Sequence, residues 1–154
     1  MARGGARNRS GPQADPSSGR SERRGVKLNA LPAEGYRGDV PPWPLPVRES
    51  VADRELDLWE WAWRTPQACA WALPSESWRL MSIAMWVRTY VVCESPGASA
   101  ADKGALHRFA DQIGLTPAGL RENGWAIKAE AVVEDDSPVA DEVSQKRERR
   151  LRSG

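Results

Sequence analysis

Residues Ser75–Glu94 read SESWRLMSIAMWVRTYVVCE, and the fold class turns on this stretch. Leu80, Met81, Ile83, Ala84, Met85, Trp86, Val87, Tyr90, Val91, Val92 and Cys93 make it apolar nearly all round, with Arg88 the only charge between Arg79 and Glu94. A bilayer span needs about 20 uninterrupted apolar residues. This run is shorter and is broken by Arg88, so a membrane span is excluded. Val91-Val92 suits a strand, but the length favours a helix. The stretch is therefore predicted as a central buried helix from about Glu76 to Glu94, with Pro74 ending what precedes it and Ser75 as its cap.

Upstream, the spacing predicts a first helix from about Ala52 to Arg64. With Leu56 at the origin of a helical wheel, Trp59 and Trp63 lie beside it, while Leu58, Trp61 and Ala62 fall opposite. Asp53, Asp57, Glu60 and Arg64 share one charged stripe. A surface helix normally hides one face. This one asks for cover on two, so part of its apolar surface is expected to meet another copy. The candidate oligomerisation residues are Leu58, Trp59, Trp61, Trp63 and Trp86. Thr65-Pro66 reads as an N-cap followed by the first residue of a short helix reaching about Leu73.

Downstream, Ser95-Pro96-Gly97 is a turn, and Ser99 with Asp102 resembles a capping box. Leu106, Phe109, Ala110 and Ile113 give the best-patterned one-faced helix of the chain. Gly114 suits the left-handed position after it, with Leu115 folding back on Phe109 or Ala110. Thr116 caps a last short helix with Pro117 in its first turn, ending near Asn123-Gly124. Trp125 and Ile127 then close the core. The fold class expected is all-α, with a small core of about four to five helices over residues 51–128.

The flanks differ in kind. The chain has 154 residues, 17.0 kDa and a net charge of +1, but the charge is partitioned. Residues 1–30 carry seven cations (Arg3, Arg7, Arg9, Arg20, Arg23, Arg24, Lys27) against Asp15 and Glu22, whereas residues 49–128 are net −2. The arm is rich in Gly, Ser and Pro, with almost no large apolar side chain before Val26 to bury, and reads as disordered. Residues 31–50 are Pro-rich and extended, and Trp43 and Leu45 are expected to pin this strap to an apolar surface. Residues 129–154 turn acidic, then basic (Lys146, Arg147, Arg149, Arg150, Arg152), and read as a tail whose apolar stripe is too thin to hold a helix.

Little here points to catalysis. His107 lies on the polar side of its helix, with no nucleophile motif nearby. Cys69 and Cys93 read as packing thiols. With His107 they are too few for a four-ligand zinc site. Asp53, Asp57 and Glu60 read as a solvated stripe, and no Gly-rich phosphate loop follows a strand. The expectation is a protein that is not an enzyme and has no metal or cofactor. The basic, polar N-terminus lacks the apolar core of a secretory signal, so a cytoplasmic location is expected.

The arm is the most functional-looking feature. Flexible Arg and Lys side chains neutralise phosphates and release counterions without fixed geometry. Several arms on one assembly add their contacts through effective concentration. The helix, Gly-Leu-Thr-Pro turn and short helix between Ala100 and Asn123 also outline a helix-turn-helix, with Arg108 on its first helix and Arg121 on its second. Readers of DNA present several polar groups to base edges, and one arginine on the second helix is a sparse set. Two further readings remain open from the residues alone. One is a transcriptional regulator using this hairpin, and the other a helical interaction module that never meets nucleic acid.

Three ordered stretches carry a resemblance. They are Leu31-Pro32-Ala33-Glu34-Gly35 running to Pro42-Trp43-Pro44-Leu45-Pro46; Leu58-Trp59 through Trp63-Arg64-Thr65-Pro66-Gln67-Ala68; and Gly114-Leu115-Thr116-Pro117 with Leu120-Arg121 and Trp125. In this order and spacing residues 31–127 resemble the small subunit of phage terminase, in the form found in tailed phages and prophages of actinobacteria. The resemblance implies a helical, ring-forming, non-enzymatic protein of the host-cell cytoplasm. Such a protein binds double-stranded viral DNA and delivers it to the large terminase subunit, which carries the ATPase and nuclease. Leu120-Arg121-Glu122-Asn123-Gly124-Trp125 is less basic than the arginine-rich run of that family. The DNA contact is therefore expected mainly from the arm, with Arg108 and Arg121 as lesser candidates. Lys146, Arg147, Arg149 and Arg150 are the candidate contacts to the large subunit.

Overall fold

A computed structural model describes residues 28–128 of the chain. Their order is strand β1 (Asn29–Leu31), the extended strap, helix α1 (Ala52–Ala62), helix α2 (Pro66–Trp71), a 3-10 stretch (Pro74–Arg79), helix α3 (Leu80–Cys93), helix α4 (Ala100–Ile113), helix α5 (Pro117–Glu122) and strand β2 (Trp125–Ile127). The body is mostly helical, as its patterning predicts. One non-helical element was not foreseen: β1 and β2 form a two-stranded parallel ribbon, with Asn29 opposite Trp125 and Leu31 opposite Ile127. Asn29 and Ala30, assigned to the arm from composition, thus belong to the folded body.

Local sequence signals set most helix ends. Ser99 and Asp102 form a complete capping box around the start of α4. Gly114 ends that helix at φ 82°, a conformation that costs other residues dearly. The Leu115 N–H then reaches back to the Ala110 carbonyl at 2.9 Å. Thr116 accepts a bond from the Gly119 N–H, and Pro117 opens α5. Two boundaries differ from expectation. The segment after Pro74 begins as a 3-10 stretch, so α3 starts at Leu80. The Thr65 hydroxyl does not cap α2 but donates to the Ala62 carbonyl at 2.7 Å.

The first helix faces the core differently from the wheel reading. Its buried positions are Glu55, Leu58, Trp59 and Ala62, with Trp63 just after, whereas Leu56 and Trp61 are exposed. The two-sided cover comes from the same chain. The strap lies across one side, where Trp43 meets Trp59 edge-on with ring centroids 5.3 Å apart. The Trp59 indole N–H donates to the Pro41 carbonyl at 2.8 Å. Tyr36 and Trp71 pack edge-on against Trp63, and α3 covers the remaining side. Leu58, Trp59, Trp63 and Trp86 are therefore buried within one protomer, where intrachain cover already removes them from water. Of the five oligomerisation candidates, only Trp61 stands out, at 56% exposure.

Glu55, 1% exposed, is the residue that reorients α1. The Arg88 guanidinium donates to both its oxygens, at 2.8 and 3.0 Å, and to the Pro46 carbonyl at 2.6 Å. Arg88 also lies 5.5 Å from the Trp43 ring centroid. One buried cation thus ties α3 to α1 and to the strap. A fork-to-carboxylate pair with an additional carbonyl acceptor meets the conditions under which two charges tolerate burial. The charge that interrupts the apolar run of α3 is therefore the joint on which the aromatic core is assembled.

Candidate nucleic-acid interface

The ribbon fixes where the basic arm leaves the body. The Asn29 N–H donates to the Gly124 carbonyl at 2.8 Å, so the chain before Leu28 departs beside the end of α5. At the other end of the ribbon the Lys128 N–H donates to the Leu31 carbonyl at 2.8 Å, and the tail departs there. Parallel pairing thus puts Leu28 and Lys128, the first and last described residues, at opposite ends of the same two strands. The arm candidates Arg3, Arg7, Arg9, Arg20, Arg23, Arg24 and Lys27, and the tail candidates Lys146, Arg147, Arg149 and Arg150, lie outside the described residues.

The α4–α5 hairpin is held tightly. A Cβ on Gly119 would run into the Asp111 carbonyl, so the helices cross at a contact that only glycine permits. The Thr116 hydroxyl donates to the Asp111 carboxylate at 2.6 Å. Side chains from elsewhere satisfy the last carbonyls of α4. The Gln67 amide donates to Gly114 at 3.0 Å, the Trp71 indole to Ile113 at 2.9 Å and Arg79 to Gln112 at 2.8 Å. A cation at a helix C-terminus also complements its dipole. Arg79 pairs with Glu76 and is stacked between the Trp78 and Trp125 rings, at 4.3 and 4.9 Å.

As a reader of base edges this hairpin offers little. The most exposed residues of α5 are Pro117 and Glu122, and its Gly119 is buried. Arg121 is half-buried, and its Nε is enclosed without a hydrogen-bond partner among the described residues. Arg108 is exposed on α4, where it stands with Lys103 and His107. Arg108 and Arg121 therefore do not share an exposed face on a recognition helix. Between α3, α4 and α5 lies an open cleft of about 350 Å³, lined by Trp78, Arg79, Gln112 and Asn123 among others.

The shifted ionisable groups owe their shifts to hydrogen-bonded or charged neighbours and to burial. The Arg54 guanidinium holds the Glu94 carboxyl below the usual carboxylate range and is itself raised by that partner. The backbone N–H and the hydroxyl of Ser99 lower Asp102. Burial, assisted by Glu34, pushes the Cys69 thiol up, away from a reactive thiolate. The Glu55 carboxylate raises Arg88. Among the described residues no cluster of His, Cys, Asp or Glu has the arrangement of a metal site, and no helix is long and apolar enough to cross a membrane. No family model, no curated protein and no solved structure matches this chain.

Sequence reasoning missed Glu55 and Arg79. Both are charged residues in or beside apolar segments, and each is buried against an aromatic or cationic partner far away in sequence. The signal that was available is the isolation of Arg88 within the least polar stretch of the chain. A charge buried there requires a partner.

Proposed function

We propose that this protein is a non-catalytic DNA-packaging adaptor of the small-terminase kind. It self-assembles, holds double-stranded viral DNA and hands it to a large ATPase–nuclease subunit in the host cytoplasm. The observation that carries the reading is the separation of charge. Seven cations stand in residues 1–30, the body over residues 49–128 is net −2, and β1 roots the arm beside α5. An acidic body with a basic leash binds phosphates through the leash, tolerantly of sequence. The ordered motifs of residues 31–127 supply the packaging context. Glu122 exposed on α5 and the enclosed Nε of Arg121 weigh against an operator-reading hairpin.

The test compares the full chain with one beginning at Leu28, on duplex DNA across a salt series. Each phosphate neutralised contributes about 0.9 to the slope of log affinity against log salt, so removal of seven cations should flatten it by up to about six. An unchanged slope would remove the arm from the interface. Sequence-specific binding that survived the deletion would assign recognition to α4–α5 and favour a regulator. The tail is the proposed contact to the large subunit, and truncation after Lys128 is expected to abolish capture of that subunit.

A further inference from the structure

We infer that the outward face shared by α1 and α3 is a head-to-tail self-association surface whose occupant is the solvent face of α4 from a second copy of this chain. This rests on the self-assembly proposed above and names the surfaces involved. The centre of the face is aromatic. Trp61 stacks on Trp86 with centroids 6.3 Å apart and planes 28° apart, and Trp86 lies 5.4 Å from Tyr90. Trp61 and Tyr90 are both exposed, on either side of the buried Trp86. Aromatic rings side by side and left in water have the composition of an interface core.

Charge identifies the occupant. Asp57 stands one turn before Trp61, Glu60 beside it and Asp53 a further turn back, all exposed. The salt bridges among the described residues use none of these three carboxylates. Arg54, exposed two turns before Trp61, is paired with Glu94, so the three carboxylates leave the rim acidic on balance, which disfavours nucleic acid and calls for a basic counterpart. The exposed arc of α4 supplies one: Lys103, His107 and Arg108 surround Ala100, Ala101 and Gly104. A Cβ on Gly104 would have only the Arg108 guanidinium near it, at 3.6 Å. There is thus room for a projecting indole to approach the α4 backbone, with cations on either side.

The two faces cannot satisfy each other within one protomer. Helix α3 packs against both α1 and α4, while α1 and α4 make no comparable contact with each other. Complementary faces at different places on one subunit produce heterologous association, which closes into a ring or extends into a filament.

Sedimentation velocity of the full chain without DNA, over a range of micromolar concentrations, tests this, with circular dichroism verifying the fold of each variant. Asp57→Lys with Glu60→Lys should weaken self-association about tenfold or more, and so should Lys103→Glu with Arg108→Glu. Trp61→Ser should weaken it without altering charge. The two charge-reversed proteins should co-assemble when mixed, because each then meets a complementary face. Self-association that survives both reversals overturns these faces while leaving assembly itself intact. A wild-type chain that stays monomeric throughout overturns both. A monomer that associates only after removal of residues 129–154 gives the face to the chain's own tail, and also overturns the proposal.

Discussion

The strap–α1–α3 region and the α4–α5 hairpin solve the same problem by different means. In the first, long-range side-chain contacts hold elements whose own ends are weakly specified. The start of α1 has no side-chain cap, whereas Trp43, Trp59, Trp63 and Arg88 make contacts that span 16 to 45 positions of the chain. In the second, caps written into three or four adjacent residues mark both ends of α4 and the start of α5, at Ser99, Gly114 and Thr116, with distant side chains added at the α4 C-terminus. The lesson concerns where stability resides. Loss of a local cap costs one helix end, but loss of a long-range contact removes the reason for two elements to meet.

Trp59→Ala should produce the largest effect. Trp59 is 2% exposed, touches Trp43 and Trp63, and holds the strap through Pro41. Truncation of a buried indole should cost about 3–5 kcal/mol. Urea denaturation followed by far-ultraviolet circular dichroism measures this. A loss below about 1 kcal/mol would show that the strap and α1 are not interdependent.

Next comes the buried ion pair. Arg88→Met leaves Glu55 charged and enclosed, and should cost about 3–5 kcal/mol near neutral pH. The double variant Arg88→Met with Glu55→Leu should recover most of that loss, because an apolar pair of similar volume carries no desolvation penalty. If the double variant were as unstable as the single one, the hydrogen bond from Arg88 to the Pro46 carbonyl would be the dominant contribution instead.

The same contrast explains what was legible in the sequence. The ends of α4 and the start of α5 could be read because their signals, Ser99 with Asp102, Gly114 and Thr116-Pro117, act within one turn. The orientation of α1 could not. Its wheel carries apolar residues nearly all round, and only the distant Arg88 decides that Glu55 points inward. The ribbon was equally hidden, since Asn29–Leu31 and Trp125–Ile127 are too short for a periodic signal and pair across nearly the whole folded body. In the candidate site, the arm's charge was plain from composition. Its attachment point depends on that pairing, and Trp61 separated from its neighbours only once the strap and α3 had covered them.

The smallest effect is the most local, and it tests the hairpin side of the contrast. Ser99→Ala removes the oxygen that accepts from the Asp102 N–H at 3.0 Å, and should cost about 1 kcal/mol. The cap is reciprocal: the Asp102 carboxylate accepts from the Ser99 N–H at 2.9 Å and from its hydroxyl at 2.8 Å, and these bonds lower the Asp102 pKa in the folded protein. A carboxyl whose folded pKa lies below its unfolded value binds more protons when unfolded. Its contribution is therefore complete above the ordinary value of 3.8 and fades as pH falls through the lowered folded pKa. Urea denaturation between pH 6 and pH 2 should show the wild type losing stability more steeply on the acid side than Asp102→Asn, whose side chain does not titrate. Glu94, lowered by Arg54, contributes in the same sense, but it is common to both proteins and cancels in the difference. Parallel acid limbs would mean that the box is formed equally by the neutral side chain, and that the start of α4 depends on packing against α3 after all.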